Sequence, residues 1–208
     1  LKTARKGVGR FTVTVRGKAA HAGLDPGKGA SAILELSHII QKLFALNDVE
    51  RGITVNVGTI DGGMSPNVVA PESKAAVDVR GPTREDAERI ERVIHAIEAE
   101  TPGTEVVIEG SVRRPPMERT PGNRRLWQLA LRGAEELGFE VEQAAAGVGS
   151  DGNTTSQFIP TLDGLGAVGA GAHALTEHLV LGKMVERSAL LARLLSYPPM
   201  DVVIPPVD

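Results

Sequence analysis

The sequence predicts a mixed α/β fold in two parts: a four-stranded antiparallel sheet with two helices on one face, then an incomplete α/β domain. In residues 9–114, strand-like and helix-like patterns occur in the order strand, helix, strand, strand, helix, strand. That order is typical of a split βαβ, ferredoxin-like sandwich with right-handed crossovers. Residues 119–197 alternate helical patterns with short apolar segments, but they supply too few strands for a complete doubly wound sheet.

The first three elements follow from the spacing of apolar residues. Residues 10–16 alternate strictly between apolar and polar side chains, which is typical of a strand with one buried face. Residues 30–46 follow a helical period with one apolar face. The expected buried stripe of this helix consists of Ile33, Leu36, Ile40 and Leu43. Residues 53–57 alternate again and predict the second strand.

The next three elements repeat this pattern. Residues 75–79 alternate and predict the third strand. Thr83 and Asp86 resemble a capping box, so we expect a helix to begin there. Residues 105–112 predict the fourth strand, and the proline-containing stretch from residue 113 reads as a linker. The uncovered sheet face should stay polar and free for a ligand or partner, and it carries Lys74, Asp78 and Arg80.

The second part of the chain begins with a helix whose two ends are marked. Thr120 and Pro121 suit the cap and the first helical position, and Gly138 suits the end. A last helix, rich in leucine and alanine, is predicted at residues 185–195. Between these helices lies a glycine-rich stretch, in which we expect Asp151 to fix the loop.

The glycine-rich stretch ends in a turn that carries an imidazole, His173. Glycine lets the backbone approach a ligand closely, so this arrangement indicates a site. A dinucleotide site is a weaker interpretation. The G-x-G-x-x-G spacing at residues 147–152 lacks the long helix and the acidic residue about 20 positions later that such a site requires. The run at residues 173–178 is too long for the H-x-x-E-H zinc motif.

Composition excludes several classes of function. A net charge of -3 and 3% aromatic residues provide no basic patch or stacking platform, so we expect no nucleic-acid partner. No apolar run approaches the roughly 20 residues needed to span a bilayer, so we expect no membrane partner. Without cysteine, only histidine and carboxylates can hold a metal. We expect a cytoplasmic location, although a chain that begins with Leu1 gives no information about a signal peptide.

Four motifs in a fixed order give the chain a family resemblance. They are GKAAHAG at residues 17–23, GGMSPNVVAP at 62–71, VDVR at 77–80, and GSDGN at 149–153 together with GAH at 171–173. With these motifs, which cover nearly the whole chain, the sequence resembles the M20 metallopeptidases and, within them, the glutamate carboxypeptidase branch.

In that family, an α/β catalytic domain is interrupted by a split βαβ lid that also dimerises. The resemblance therefore implies a domain organisation for this chain. Residues 1–8 would end a catalytic-domain segment, 9–114 would form the lid, 119–197 the C-terminal part of the catalytic domain, and 198–208 an extended tail.

The resemblance also implies roles for individual residues. His173 matches the last ligand of a two-zinc centre. His21 matches a lid histidine that reaches the neighbouring subunit's site and polarises the scissile carbonyl. Asn67 and Arg80 match groups that hold the substrate's C-terminal carboxylate, and Gly171 matches a substrate-binding position. Without the resemblance, the histidines would read as loop residues, Asn67 as a turn former and Arg80 as a solvated strand residue.

The function implied by the resemblance is zinc-dependent hydrolysis of an amide bond next to a free carboxylate, as in a C-terminal glutamate-like residue. The substrate would be a peptide or an N-acyl amino acid, and the enzyme would be a homodimer through its lid. The family's N-terminal half supplies the other zinc ligands and the general-base glutamate, so we expect this chain alone to be inactive. The alternative is a non-enzymatic dimerisation or small-molecule-binding module built on the ferredoxin-like domain.

Overall fold

The computed structural model describes residues 1–172 and 174–199. The chain forms two compact units: Lys6–Pro116, and a second unit made of Leu1–Arg5 with the chain from Met117 onward. We call them the sheet unit and the C-terminal unit. Each unit has a hydrophobic core of its own.

The elements are numbered along the chain, and β1 (Lys2–Arg5) belongs to the C-terminal unit. The sheet unit then contains β2 (Gly7–Arg16), α1 (Ala32–Phe44), β3 (Thr54–Gly62), β4 (Glu72–Gly81), α2 (Arg84–His95) and β5 (Glu105–Arg114). Its strands form one antiparallel sheet in the order β3-β4-β2-β5. A single hydrophobic cluster joins one face of this sheet to both helices. The predicted split βαβ sandwich is therefore confirmed.

The buried stripe of α1 differs from the predicted one. Its buried apolar residues are Ala32, Leu36, Ile39 and Leu43. The prediction was wrong for Ile33, whose side chain is 48% exposed, and Ile40 is only partly buried. Both stripes have helical spacing, so periodicity does not choose between two faces that differ by one residue. Packing against the sheet makes that choice.

The second half of the sheet unit agrees with the sequence pattern, except that its last strand is longer than predicted. Thr83 Oγ1 accepts a hydrogen bond from the Asp86 N–H at 3.1 Å, which confirms the predicted helix start. Strand β5 continues to Arg114 rather than ending at residue 112, because Arg114 still pairs with Val8 of β2. The expected linker from residue 113 therefore begins as strand.

The C-terminal unit contains α3 (Pro121–Leu137), β6 (Ala144–Ala146), α4 (Gly152–Thr155), β7 (Gly169–Ala170), β8 (His178–Leu179) and α5 (Leu181–Ser196). Helix α3 begins after the Thr120 cap and ends at a left-handed Gly138, as predicted. Helix α5 begins earlier than the predicted residue 185. Strands β1 and β6 pair in parallel, and β7 pairs with β8. No helix in the part of the chain that the structure describes has the length and apolar character to cross a bilayer.

Candidate functional site

The loop after β2 presents His21 at the surface. The Nδ1 atom of this ring accepts hydrogen bonds from the backbone N–H groups of Gly23 and Leu24, each at 3.2 Å. A backbone N–H can only donate, so Nδ1 must be the acceptor and the neutral ring carries its proton on Nε2. The loop thus selects the tautomer that leaves Nε2–H as an outward hydrogen-bond donor.

A second loop, between β3 and β4, brings Asn67 beside His21. The Asn67 carbonyl accepts a hydrogen bond from the N–H of Ala22 at 2.9 Å, and His21 and Val68 face each other in an isolated antiparallel bridge. The Asn67 Oδ1 accepts from Ser65 Oγ at 2.7 Å, which leaves the amide NH₂ as the free end of the side chain. The structure therefore places two predicted site residues together at one end of the sheet.

Position 17, just before the His21 loop, has room only for glycine. A Cβ at this position would lie 2.2 Å from the carbonyl oxygen of Ala30. The close approach allows Lys18 and Ala30 to pair through two backbone hydrogen bonds of 2.8 and 2.9 Å. This pairing fixes the strand exit that leads to His21.

Arg80 lies on β4, on the sheet face that the helices do not cover. Its Nε and Nη2 donate to the two oxygens of Asp78 at 2.6 and 2.9 Å, a side-on pair that holds the guanidinium in place. The N–H groups of Nη1 take no part in this pair and can donate to a second carboxylate.

Arg80 does not join His21 and Asn67. It pairs with Val8 near the start of β2, whereas His21 follows the end of β2 at Arg16. At about 3.4 Å per residue, the two positions are roughly 25 Å apart along the sheet. Within one copy of the chain, the predicted site residues therefore form two separate groups.

Gly171 lies in the turn between β7 and β8, in the C-terminal unit. Its φ of +74° is left-handed, and a Cβ would lie 2.9 Å from the carbonyl oxygen of Thr176. This turn therefore requires glycine at position 171. His173, the predicted metal ligand, lies outside the described residues.

A charged cluster that sequence reasoning missed holds the glycine-rich loop in place. Asp163 accepts hydrogen bonds from Arg5 Nε at 2.6 Å and from Ser150 Oγ, and Arg5 Nη1 donates to the Val148 carbonyl at 3.0 Å. Burial by itself would raise the pKa of Asp163. The hydrogen bonds from Arg5, Ser150 and the Gly164 N–H outweigh it, so the pKa lies below its usual range.

Asp151 was expected to fix this loop, but its side chain makes no capping hydrogen bond to α4. The Asn153 side chain accepts from the Ser150 N–H at 2.9 Å instead. No local pattern could reveal the Arg5 contact, because Arg5 and Asp163 are 158 residues apart in sequence. The density of polar groups between glycines was the one signal that pointed to Asp163.

The described residues do not by themselves fit a resident metal ion. Across residues 1–172 and 174–199, no three histidine or carboxylate side chains converge as metal ligands. The exposed His178 donates from Nδ1 to the Thr176 carbonyl at 3.0 Å, so its neutral ring keeps a lone pair on Nε2. A single lone pair of this kind is not a metal site.

Residues 3–104 match the protein family described as peptidase dimerisation domain. Among curated proteins, the chain is similar to carboxypeptidase G2 of Pseudomonas sp. (strain RS-16), with 24% identity over 200 residues, 94% of this chain and 48% of the relative. It is also similar to acetylornithine deacetylase of Myxococcus xanthus, with 28% identity over 205 residues, 93% of this chain and 53% of the relative.

Among solved structures, the chain is similar to the YXEP protein of Bacillus subtilis, described as a dinuclear metal binding peptidase from the M20 family. The TM-score is 0.67 with 17% identity, and the match covers 91% of this chain and 49% of that one. At this identity the likeness shows a shared fold. The chain spans about half the length of the proteins that it matches.

Proposed function

Because this chain belongs to the M20 peptidase family, we propose that it is the lid and the C-terminal catalytic part of a metal-dependent carboxypeptidase or amidohydrolase. The proposed substrate is a peptide or N-acyl amino acid, and the bond cleaved is an amide next to a free carboxylate, with a glutamate-like terminal residue. The observation that carries the proposal is the exposed His21, whose backbone contacts keep a proton on Nε2.

The proposed role of His21 follows from that tautomer. An imidazole N–H that points outward can donate to the oxygen of the scissile carbonyl as negative charge develops there. The Ala22–Asn67 hydrogen bond holds the two loops together, so Asn67 would act at the same site, where its amide NH₂ would bind the substrate's terminal carboxylate. At the other end of the sheet, the free edge of Arg80 would hold the substrate's terminal carboxylate.

The separation of His21 and Arg80 supports an active site that is built from residues of two copies of the chain. In a substrate, the scissile carbonyl and the terminal carboxylate belong to adjacent residues, whose Cα atoms are about 3.8 Å apart. His21 and Arg80 of one copy are too far apart to contact both groups of one substrate. We infer that His21 and Asn67 of one copy act at the site served by Arg80 of the other.

A surface suited to such a dimer lies along α1 and β3. Strand β3 is at the edge of the sheet, with Ile60 62% exposed, and the adjacent helix exposes half of Ile33 and Leu34. Ile33 and Ile60 line one cavity of about 340 Å³ between the helix and this strand. A second copy would cover this apolar groove and pair with the free strand edge.

We propose that the metal is zinc and that His173 supplies one ligand. The remaining ligands and a general-base glutamate would come from a region outside this chain. When bound, the zinc ions would activate a water molecule and polarise the scissile carbonyl. The residues of this chain would orient the substrate and donate hydrogen bonds, and the chain alone would not hydrolyse it.

The test is hydrolysis of N-acyl-L-glutamate by a full-length protein that contains this chain, assayed with and without zinc, beside the 208-residue chain alone. We expect zinc-dependent turnover by the full-length protein only. His21→Ala in that protein should lower kcat by about 100-fold or more and leave KM nearly unchanged, because the lost donor acts on the transition state. Turnover without a metal would contradict the proposal, and so would a His21→Ala protein whose kcat equals that of the wild type.

A further inference from the structure

The uncovered face of the sheet carries a cavity of about 410 Å³. It crosses the sheet from β3 to β5, and its floor is formed by small residues at the middle of each strand. They are Gly58 on β3, Ala76 on β4, Thr12 on β2 and Gly110 on β5. The volume is in the range of pockets that hold small ligands.

Charged side chains stand at the edges of this cavity: Arg10, Asp78, Glu109 and Arg113. Asp78 is already paired with Arg80. Neither Arg10 nor Arg113 forms an ion pair with any residue in the described part of the chain. The cavity thus offers two guanidinium groups without a carboxylate partner.

The position of Arg10 relates this cavity to Arg80. Arg10 faces Asp78 across β2 and β4, and Arg80 faces Val8, so the two arginines occupy diagonal positions on adjacent strands. Diagonal positions of this kind are roughly 7–8 Å apart. Glu109 faces Thr12, farther from Arg80, and would repel a carboxylate placed at that end.

We propose that this cavity receives the side chain of the substrate's terminal residue and that Arg10 and Arg113 bind a second carboxylate there. The proposal rests on the proposed function, in which Arg80 holds the first carboxylate. A dicarboxylate of glutamate size spans the distance between the two arginine positions, and the small residues of the floor leave room for its methylene groups. These two arginines would therefore determine the preference for an acidic terminal residue.

The test is ligand titration of the 208-residue chain, followed by NMR of backbone amides and arginine Nε–H groups at low salt. The two ligands are N-acetyl-L-glutamate and N-acetyl-L-glutamine, which have the same shape and differ in the second charge. We expect about tenfold tighter binding of the glutamate derivative, the size of one good charge-assisted contact. Arg10→Met or Arg113→Met should remove this preference.

Arg16→Met is the matched control, because Arg16 lies on the same strand and face as Arg10 but outside the cavity. It should keep the preference, and the amide spectrum of each variant will show whether it is folded. Equal binding of both ligands, or binding of neither, overturns the inference. Loss of both ligands in Arg80→Met would still support the carboxylate role of Arg80, so the two proposals fail separately.

Discussion

Arg5 Nε lies 2.6 Å from Asp163 Oδ2, although the two residues are 158 positions apart in sequence. The pair joins β1 to the segment that follows α4, and Ser150, which lies just before α4, donates to the same carboxylate oxygen. Both side chains are mostly buried, with 11% of Arg5 and 21% of Asp163 exposed. A charge pair in this environment is costly to break from one side, because the other charge stays behind without a partner.

We therefore expect Asp163→Asn to destabilise the C-terminal unit by about 2–3 kcal/mol. Urea unfolding followed by Trp127 fluorescence measures this directly, since Trp127 is the only tryptophan and lies in α3. Asp151→Asn is the control, because the Asp151 side chain makes no capping hydrogen bond in the same loop. If both variants unfold at the same urea concentration, the Arg5–Asp163 pair contributes nothing to the stability of the C-terminal unit.

A second carboxylate, Glu35, gives the sheet unit a dependence on acid pH. Glu35 is fully buried and accepts the N–H groups of Glu100 and Thr101 at 3.1 and 2.7 Å. Burial opposes its ionisation, but these hydrogen bonds prevail, and the pKa of Glu35 lies below its ordinary value. The resulting stability is present above the unfolded-state pKa of about 4.3 and is lost as the pH falls through the lower folded-state pKa.

Glu35→Gln should lower the stability at pH 7 by about 1–3 kcal/mol, because the amide can accept only one of the two N–H groups well. It should also flatten the loss of stability below about pH 4.3. Urea unfolding followed through the amide resonance of the buried Val13 measures both effects. Glu98→Gln, at an exposed position nearby, should leave the pH profile unchanged. If the unfolding free energy of Glu35→Gln falls with pH as steeply as that of the wild type, other groups cause the acid sensitivity.

The separation of His21 from Arg80 predicts complementation between subunits. Full-length His21→Ala and Arg80→Met proteins should each lose activity when pure. After the two variants are combined and their subunits exchange, about half of the dimers contain one subunit of each variant. Each such dimer has one site with both residues intact. Activity should therefore recover to about a quarter of that of the wild type. No recovery, with mixed dimers demonstrated by native mass spectrometry, would place both residues at one site of the same copy.

The apolar groove between α1 and β3 predicts which surface forms the dimer. Ile60→Asp should shift the chain toward monomer, because a carboxylate would be buried against the second copy. Light scattering over a range of protein concentrations measures the shift. Val49→Asp changes an equally apolar and 86% exposed residue outside this groove, and it should leave the dimer intact. A dimer that tolerates Ile60→Asp must use another surface.

The left-handed turn at Gly171 predicts a local effect on catalysis. Gly171→Ala forces a Cβ into the space beside Thr176, and the left-handed conformation costs about 1–2 kcal/mol for a residue with a Cβ. We expect kcat/KM of the full-length protein to fall by at least about tenfold. Gly166→Ala, where a Cβ meets no atom within 4 Å, should change it by less than about twofold. Equal effects of the two substitutions would mean that the Gly171 turn does not shape the site.

Local patterns in the sequence were sufficient for most of the elements. Alternation predicted three of the four strands of the sheet unit, and the Thr83 and Thr120 caps predicted two helix starts. These features depend on residues a few positions apart, so the pattern contains the information. The motifs around His21 and Asn67 were equally visible, and the family match over residues 3–104 confirms the resemblance that they carried.

The sequence by itself determined the order of the elements, the capped helix ends and the family. Tertiary structure alone decided that α1 buries Ile39 rather than Ile33 and that Arg5 meets Asp163. It also decided that Arg80 and His21 stand at opposite ends of one sheet. The reason is physical. Each of these relationships depends on which distant groups the folded chain brings within hydrogen-bonding or packing distance, and no local periodicity encodes that choice.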